Sequence, residues 1–251
     1  MTVEKTPFPI SAFSLLAQRE AGHWWFRGRN RVLLWALRKK IGKIESFLEI
    51  GCGTGYVLEG VRRAYPDAKL YGVEYFEEGL AFARQRIPSA TFRQMDATAM
   101  DEVDAYDVIG TFDVLEHIEQ DELALRNMAR ALRPSGSLVI AVPQHRWLWS
   151  QADDYAGHVR RYRRAELVDK VRAAGLQVEY VSSFVSLLIP LMWLARSRKQ
   201  AGEFDPEAEF RIPAWLNTAL EGVMSVEAAL IRAGLRFPFG GSLLLVAKKR
   251  D

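Results

Sequence analysis

Cysteine is almost missing from this chain: Cys52 stands alone among 251 residues. A single thiol excludes an internal disulfide framework and a cysteine-built zinc site, and predicts a reducing, cytoplasmic setting. Neither sign of charge is in excess, with 34 Lys and Arg against 31 Asp and Glu. That balance, with no second basic face or RNA-binding module, argues against a nucleic-acid partner. No apolar run approaches the about 20 residues of a bilayer-spanning helix. The first ten residues, M-T-V-E-K-T-P-F-P-I, have neither the basic start nor the apolar core of a signal peptide. Internal repeats and low-complexity tracts are absent as well. What is left, 49% apolar and 26% charged residues, is an ordinary globular composition. The length suits one large α/β domain with additions, or two small ones.

The stretch that organises the rest is Ser46–Gly55, S-F-L-E-I-G-C-G-T-G. Phe47, Leu48 and Ile50 read as a buried strand that runs into a glycine loop and then a helix. Glycines at 51, 53 and 55 let the backbone take positive φ and approach a ligand closely. The head of the following helix offers N–H donors and partial positive charge. A dinucleotide fingerprint would read G-x-G-x-x-G. Here the third position is Tyr56, where close helix–strand packing needs glycine, so a nicotinamide or flavin dinucleotide is disfavoured. Glu74 ends a second strand, K-L-Y-G-V-E-Y, at the offset expected of a ribose-binding carboxylate.

Read in order, helices are predicted over Ile10–Glu20 and Arg29–Lys40, with the aromatic segment H-W-W-F-R-G-R between them. Trp24, Trp25 and Phe26 either pack under the sheet or form a lid, with Arg27 or Arg29 facing an anion. Regular βα alternation follows. Strands are predicted at Leu70–Tyr75, Thr91–Met95, Ala105–Phe112, Ser137–Val142, Gln177–Ser182 and Ser242–Lys248. Helices are predicted at Thr54–Tyr65, Gly79–Arg86, Asp121–Leu132 and Arg164–Ala174, and R-P-S-G is read as a turn. Phe184–Gly240 interrupts this pattern with F-V-S-L-L-I-P-L-M-W-L-A, a basic R-S-R-K, and a helix over Ala214–Ala233. The apolar segment is either a helical cap on an acceptor pocket or an interfacial membrane contact over Phe184–Lys199. Both favour an apolar acceptor. R-R-Y-R-R at Arg160–Arg164 reads as a solvated helix entrance or as an anion site.

The E-x-G-x-G-x-G pattern at Glu49–Gly55, with the downstream acid Glu74, resembles the first two motifs of class I S-adenosylmethionine-dependent methyltransferases. The resemblance covers about Ser46–Ser183 plus the last strand. It implies a Rossmann-like seven-stranded sheet of order 3-2-1-4-5-7-6, strand seven antiparallel, with helices on both faces. Residues 1–45 would then be an N-terminal helical lid, 46–183 with 242–251 the methyltransferase domain, and 184–241 a helical insertion. It also implies S-adenosyl-L-methionine as cofactor. Glu74 would take the ribose hydroxyls, Tyr75 would lie against the adenine, and Asp96 and Ala97 would meet its edge. Glu49, Gly51 and Gly53 would hold the methionine end, with Cys52, Gly55 and Asp113 completing the cofactor site.

Methyl transfer needs alignment and, for a hydroxyl acceptor, a base. His117, His145 and His158 are the candidates because imidazole titrates near neutrality. The segment D-V-L-E-H at Asp113–His117, with a later G-H at Gly157–His158, resembles the ubiquinone-pathway O-methyltransferases and the small-RNA terminal 2′-O-methyltransferases. That resemblance implies a Mg²⁺ site at Asp113, Glu116, His117 and His158, although those families carry glutamate where this chain has Asp113. The expected activity is O-methylation of a small, hydrophobic or lipid-like acceptor. The rivals are a membrane-surface binding protein that keeps the fold without catalysis, and a nucleotide-dependent oxidoreductase.

Overall fold

The computed structural model describes residues 8–197 and 205–250. Its centre is β1, Ser46–Ile50, in which every residue is buried. Burial on both faces is what a continuous apolar strand inside a parallel sheet requires. Around it lie β2 (Lys69–Glu74), β3 (Thr91–Gln94), β4 (Tyr106–Phe112), β5 (Leu132–Pro143), β6 (Leu176–Phe184) and β7 (Ser242–Lys249). The sheet order is β3-β2-β1-β4-β5-β7-β6. The first five strands pair in parallel, and β7 runs antiparallel to both β5 and β6. This is the predicted topology.

The helices are α1 (Ala12–Arg19), α2 (Trp24–Ala36), α3 (Tyr56–Ala64), α4 (Glu77–Arg86), α5 (Asp121–Ala131), α6 (Gln151–Tyr155), α7 (Arg164–Ala173), α8 (Ile189–Ser197), α9 (Pro206–Phe210) and α10 (Ala214–Arg232). Strand alternation sorts side chains into two cores. Phe47, Val108, Leu244 and Val246 face α2, α3 and α10, meeting Leu33, Leu58 and Met224. Leu48, Ile109, Leu243 and Leu245 face α5 and α7, meeting Leu125, Met128 and Leu167. On β1, Glu49 shares the face of Phe47, so a carboxylate occupies the last position of an otherwise apolar row.

Two predicted starts move furthest. The second helix was expected at Arg29–Lys40 but begins at Trp24, so the aromatic segment is helical. The His23 side chain caps it, accepting the Trp25 N–H at 3.3 Å, and a π-turn over Leu37–Ile41 ends at Gly42. The fifth strand was expected to start at Ser137 but starts at Leu132. R-P-S-G still loops out, because β5 advances from Leu132 to Ser137 while β4 advances only from Tyr106 to Val108.

Helices α2 and α10 pack directly on one another. Gly28 permits this, since a Cβ there would fall 2.9 Å from Met224 Cβ. Arg27 and Arg31 of α2 both pair with Glu221 of α10, and Asn217 accepts the Trp24 N–H at 2.9 Å. The N-terminal and inserted helices are thereby bolted together over the carboxyl ends of β1 and β4. Among the described residues no helix is long and apolar enough to cross a membrane.

Candidate active site

A cavity of about 1440 Å³ opens at the carboxyl ends of the strands. Small-molecule sites commonly enclose about 300–1,000 Å³, so this one has room for a cofactor and an acceptor together. Of the predicted residues, Glu49, Gly51, Cys52, Gly53, Glu74, Tyr75, Asp96, Ala97, Asp113, Glu116, His117 and His158 line it. Gly55 and His145 do not. Gly55 is the left-handed N-cap of α3, and a Cβ there would press 3.2 Å from Ala83 in α4, so its smallness serves helix packing. His145 stacks between the exposed Trp147 and Phe239, with ring centroids 5.4 and 5.8 Å away. Its place after β5 suggested a base, but its backbone, at φ 64°, turns the ring out of the cavity. The Cys52 thiol also turns inward, against Leu80, Ala83 and Phe92, while its backbone stays in the loop.

The loop itself is drawn tight around Glu74. One carboxylate oxygen accepts the Gly53 N–H at 2.9 Å; the other accepts those of Tyr75 and Phe76 at 2.8 and 3.2 Å. Burial raises this carboxyl above its ordinary value, and the three N–H donors oppose that rise. Gly51 has φ 66°, and an added Cβ would lie 2.3 Å from Val114 Cγ2. Only glycine fits, because the turn is both left-handed and filled. Asp96 is held as an N-cap, its Oδ1 accepting the Thr98 N–H at 2.7 Å.

Glu49 is almost fully buried, with Oε2 lacking a partner, and burial pushes its carboxyl up to about 8. Arg29 lowers it, while Glu74 and Glu20 raise it. Arg29 reaches the same spot from α2. It pairs with Asp113 and lies 4.6 Å over the Trp25 ring, with a buried Nε that has no partner. The left-handed backbone of Asp113, φ 57°, aims its carboxylate at this arginine. Glu20, behind α1, accepts the Thr54 hydroxyl at 2.7 Å and pairs with Arg86, which fastens α1 to the glycine loop.

The predicted metal set is altered. Asp113 is committed to Arg29 and is not among the converging ligands. Ligand atoms of Glu116, His117 and His158 all lie within 4.8 Å of one another. Neither oxygen of the fully buried Glu116 has a partner, and burial with Asp113 nearby raises its carboxyl strongly. His117 hydrogen-bonds the Ala156 backbone, its Nδ1 is without a partner, and burial lowers it to about 3. His158 Nδ1 lies 2.8 Å from Asp153 Oδ1, with Nε2 3.9 Å from Glu116.

Asp153 was not singled out from the sequence, and Arg161 only as a member of the R-R-Y-R-R cluster. Arg161 donates to both Asp153 oxygens at 2.7 and 2.9 Å, and Ser150 N–H donates to the same carboxylate at 2.8 Å. The S-x-x-D spacing of Ser150 and Asp153 is a capping-box signature that would have marked the helix start, though not its contact with His158. The R-R-Y-R-R cluster is correspondingly not an anion site. Arg160 pairs with Asp121, Arg161 with Asp153, and Arg164 donates to the Phe237 carbonyl at 2.7 Å. Tyr162 is fully buried and donates to Asp121 at 2.7 Å. These charges are consumed by the fold, and only Arg163 of the five is exposed.

The aromatic segment lines the cavity through Trp24, Trp25 and Phe26, so the lid reading describes its position, while Trp24 also touches the core. Phe26 stacks on Phe210 of α9 with centroids 6.1 Å apart. Beyond them the wall is apolar: Val185, Leu188, Leu191, Met192 and Leu220. Leu187, just before α8, and Trp193 and Leu194 within it are exposed. The basic residues Arg198 and Lys199, needed by the membrane reading, lie outside the described residues.

Residues 17–181 match a family model described as a methyltransferase domain. Among curated proteins, the "Probable S-adenosylmethionine-dependent methyltransferase" of Mycolicibacterium smegmatis is 29% identical over 161 residues, covering 62% of this chain and 61% of that protein. The malonyl-[acyl-carrier protein] O-methyltransferase of Bacillus cereus is 32% identical over 120 residues, covering 45% and 44%. The chain thus spans about three-fifths of the first relative and under half of the second. Among solved structures, phosphoethanolamine N-methyltransferase 2 of Haemonchus contortus, in complex with S-adenosyl-L-methionine, superposes with a TM-score of 0.60. The identity is 18%, over 87% of this chain and 52% of that one; such a likeness speaks for the fold.

Proposed function

Because the chain belongs to the methyltransferase-domain family of class I S-adenosylmethionine-dependent enzymes, we propose that it O-methylates a small, hydrophobic or lipid-like hydroxyl acceptor. The observation that carries this is the His158–Asp153 pair at the rim of a cavity whose far wall is apolar. When bound, S-adenosylmethionine supplies an electrophilic methyl on a sulfonium. The residues present fit it: a glycine turn without room for a side chain, a strand-end carboxylate braced by three N–H groups, and a partnerless acceptor on Glu49 beside a partnerless donor on Arg29. Glu74 holds the ribose, and the Glu49–Gly53 loop holds the tail. Asp153 fixes the ring of His158 by taking Nδ1–H, which points Nε2 toward the cavity to receive the acceptor proton. Trp25, Phe26 and Leu188 exclude water from the acceptor. O-methylation also accords with the name of the Bacillus cereus relative.

Calorimetry with S-adenosylhomocysteine should show binding, and NADH should show none; binding of NADH alone would overturn the reading. With an acceptor found by screening apolar phenols and fatty hydroxy acids, His158→Ala should lower kcat by about 10²- to 10⁴-fold. The same variant should hold S-adenosylhomocysteine affinity within about twofold, the ring being no part of the cofactor's cradle.

A second reading is favoured by the convergence of Glu116, His117 and His158. These three would hold a divalent ion, which would gather and acidify the acceptor hydroxyl, and His158 would then be a ligand. Two imidazoles with one carboxylate suit Zn²⁺, Mn²⁺ or Fe²⁺ better than the Mg²⁺ implied by resemblance, since Mg²⁺ prefers an oxygen shell. Equilibrium dialysis decides between the two readings. One retained equivalent of Zn²⁺ or Mn²⁺, lost in Glu116→Gln, would replace the base mechanism. No retention, with activity surviving a chelator, would dismiss the ion.

A further inference from the structure

Among the described residues, the exposed large apolar side chains gather in one part of the chain. Apart from Ile10, Tyr75, Val103 and Trp147, all of them lie between positions 187 and 239. Contacts join most of these into one surface beside the cavity. The Leu187 N–H donates to Glu227 at 2.8 Å, which ties the start of α8 to α10, and α10 carries the exposed Val226 and Leu230. Leu235 continues from there, its N–H donating to the Leu230 carbonyl at 3.0 Å. On its other side α8 packs on Arg146–Leu148, and Met192 presses on Gly241, where an added Cβ would fall 2.9 Å from Met192 Cε. Just before Gly241, Phe239 stacks on His145, and His145 stacks on Trp147. Trp193 is 60% exposed and Phe239 63%. Single apolar side chains on a surface need no explanation, but a contiguous set marks a place of contact.

The charges around this surface identify what it meets. Every exposed ion between positions 211 and 241 is an arginine: Arg211, Arg232 and Arg236. The two acids of that stretch are engaged by the fold, Glu221 with Arg27 and Arg31, and Glu227 with the N–H groups of Ser186 and Leu187. Arg211 pairs with Glu207, but Arg232 and Arg236 flank Leu235, and the exposed Arg146 adjoins Trp147. Cations therefore surround the apolar side chains without recourse to Arg198 and Lys199. A second copy of the chain would set arginine against arginine, which disfavours self-association through this face. Leu191 adds a second observation: it is exposed and also lines the cavity, with Leu188 and Met192. We propose that this surface docks the protein on an anionic lipid bilayer, with the apolar wall of the cavity toward the lipid. Trp147, Trp193 and Phe239 enter the headgroup boundary, where amphipathic rings are favoured, and the arginines meet the lipid phosphates. A lipid-like acceptor then passes Leu191 into the cavity without crossing water.

Only the acceptor's route rests on the methyltransferase reading above, and the test keeps docking and chemistry apart. Flotation would compare vesicles of phosphatidylcholine alone with vesicles of phosphatidylcholine and phosphatidylglycerol. Wild-type protein should float with the mixed vesicles, and less so as salt screens the arginines. Trp193→Gln/Phe239→Gln should weaken that binding by at least about 10-fold, through the apolar area it withholds from the lipid. Arg146→Gln/Arg232→Gln should weaken it by about fivefold for each cation lost, and leave binding to phosphatidylcholine alone unchanged. Neither pair lines the cavity, so both variants should bind S-adenosylhomocysteine as the wild type does by calorimetry, which also shows them folded. Wild-type protein that floats with neither vesicle, or a Trp193→Gln/Phe239→Gln variant that floats as well as wild type, would overturn the docking. So would a dimer in sedimentation velocity that this variant splits, with no vesicle bound by either protein, since the face would then belong to a second copy. These failures, with S-adenosylhomocysteine still bound, leave the methyltransferase reading standing. Wild-type protein that floated but bound no S-adenosylhomocysteine would support docking and remove that reading.

Discussion

Glu74→Ala is expected to weaken S-adenosylhomocysteine binding by about 10²- to 10³-fold, measured by calorimetry, with the protein still folded by circular dichroism. The magnitude follows from what one carboxylate does twice. It accepts the backbone N–H groups of Gly53, Tyr75 and Phe76, and so sets the shape of the glycine turn before any ligand arrives. Its one remaining lone pair, on the oxygen that accepts the Gly53 N–H, can then take a ribose hydroxyl in a charge-assisted hydrogen bond. Losing the carboxylate removes both the contact and the pre-organisation. Glu74→Gln separates them, since the amide keeps one acceptor oxygen for the turn but loses the charge. Its affinity should fall between those of the wild type and the alanine variant. An alanine variant that binds as tightly as wild type would refute the ribose role.

Glu49→Gln should move stability and affinity in opposite directions. The carboxyl of Glu49 is pushed up to about 8 in the folded protein, from an ordinary 4.5, because burial disfavours its charge. Between those values the folded state holds a proton that the unfolded chain releases, so stability falls as the pH rises from about 4.5 toward 8. Above 8 the whole cost of a buried charge is present in the ligand-free protein. The amide has no such cost. Glu49→Gln should therefore raise the ligand-free Tm at pH 8.5 by at least about 2–4 °C, the shift that 1 kcal/mol makes in a chain of this size. At pH 5 the two proteins should melt together. The same change should weaken S-adenosylhomocysteine, because an ammonium favours the ionised acid. In the wild type that affinity should tighten with pH up to about 8 and then level off. Equal melting temperatures at pH 8.5 would show that the charge is solvated. A site residue that costs stability in the empty protein and repays it on binding is a familiar compromise between fold and function.

Much of this site was legible because it hangs on local pattern. A five-residue buried strand, glycines at alternate positions and an acid closing the next strand each leave a mark within a few residues. Topology then carries them to one crevice. Tyr56, at the first turn of α3, disfavoured a dinucleotide from the sequence alone, and in the structure its ring lines the cavity opposite Phe26, 6.3 Å between centroids. The same logic misjudged His145. Proximity to a strand end suggests a role, but one left-handed residue after β5 turns the ring onto Trp147 and Phe239. R-R-Y-R-R was misread for the opposite reason. A dense charge run reads as solvated until the acids that neutralise it, Asp121 and Asp153, are brought in from 39 and 8 residues away by the fold of β5, α5 and α7.

By itself, then, the sequence determined the sheet, its seven strands, the glycine loop and the acids at the strand ends, because each depends on periodicity and backbone freedom over a short span. Tertiary structure alone decided which charges remain unsatisfied. Arg29 and Asp113 are 84 residues apart yet pair, which withdraws Asp113 from the group around Glu116. Glu116 and His158 converge only because the segment after β5 folds back over the end of β4, where the Val159 N–H donates to the Glu116 carbonyl at 2.8 Å. Partner choice between distant side chains is set by packing and desolvation, and neither is written in spacing along the chain.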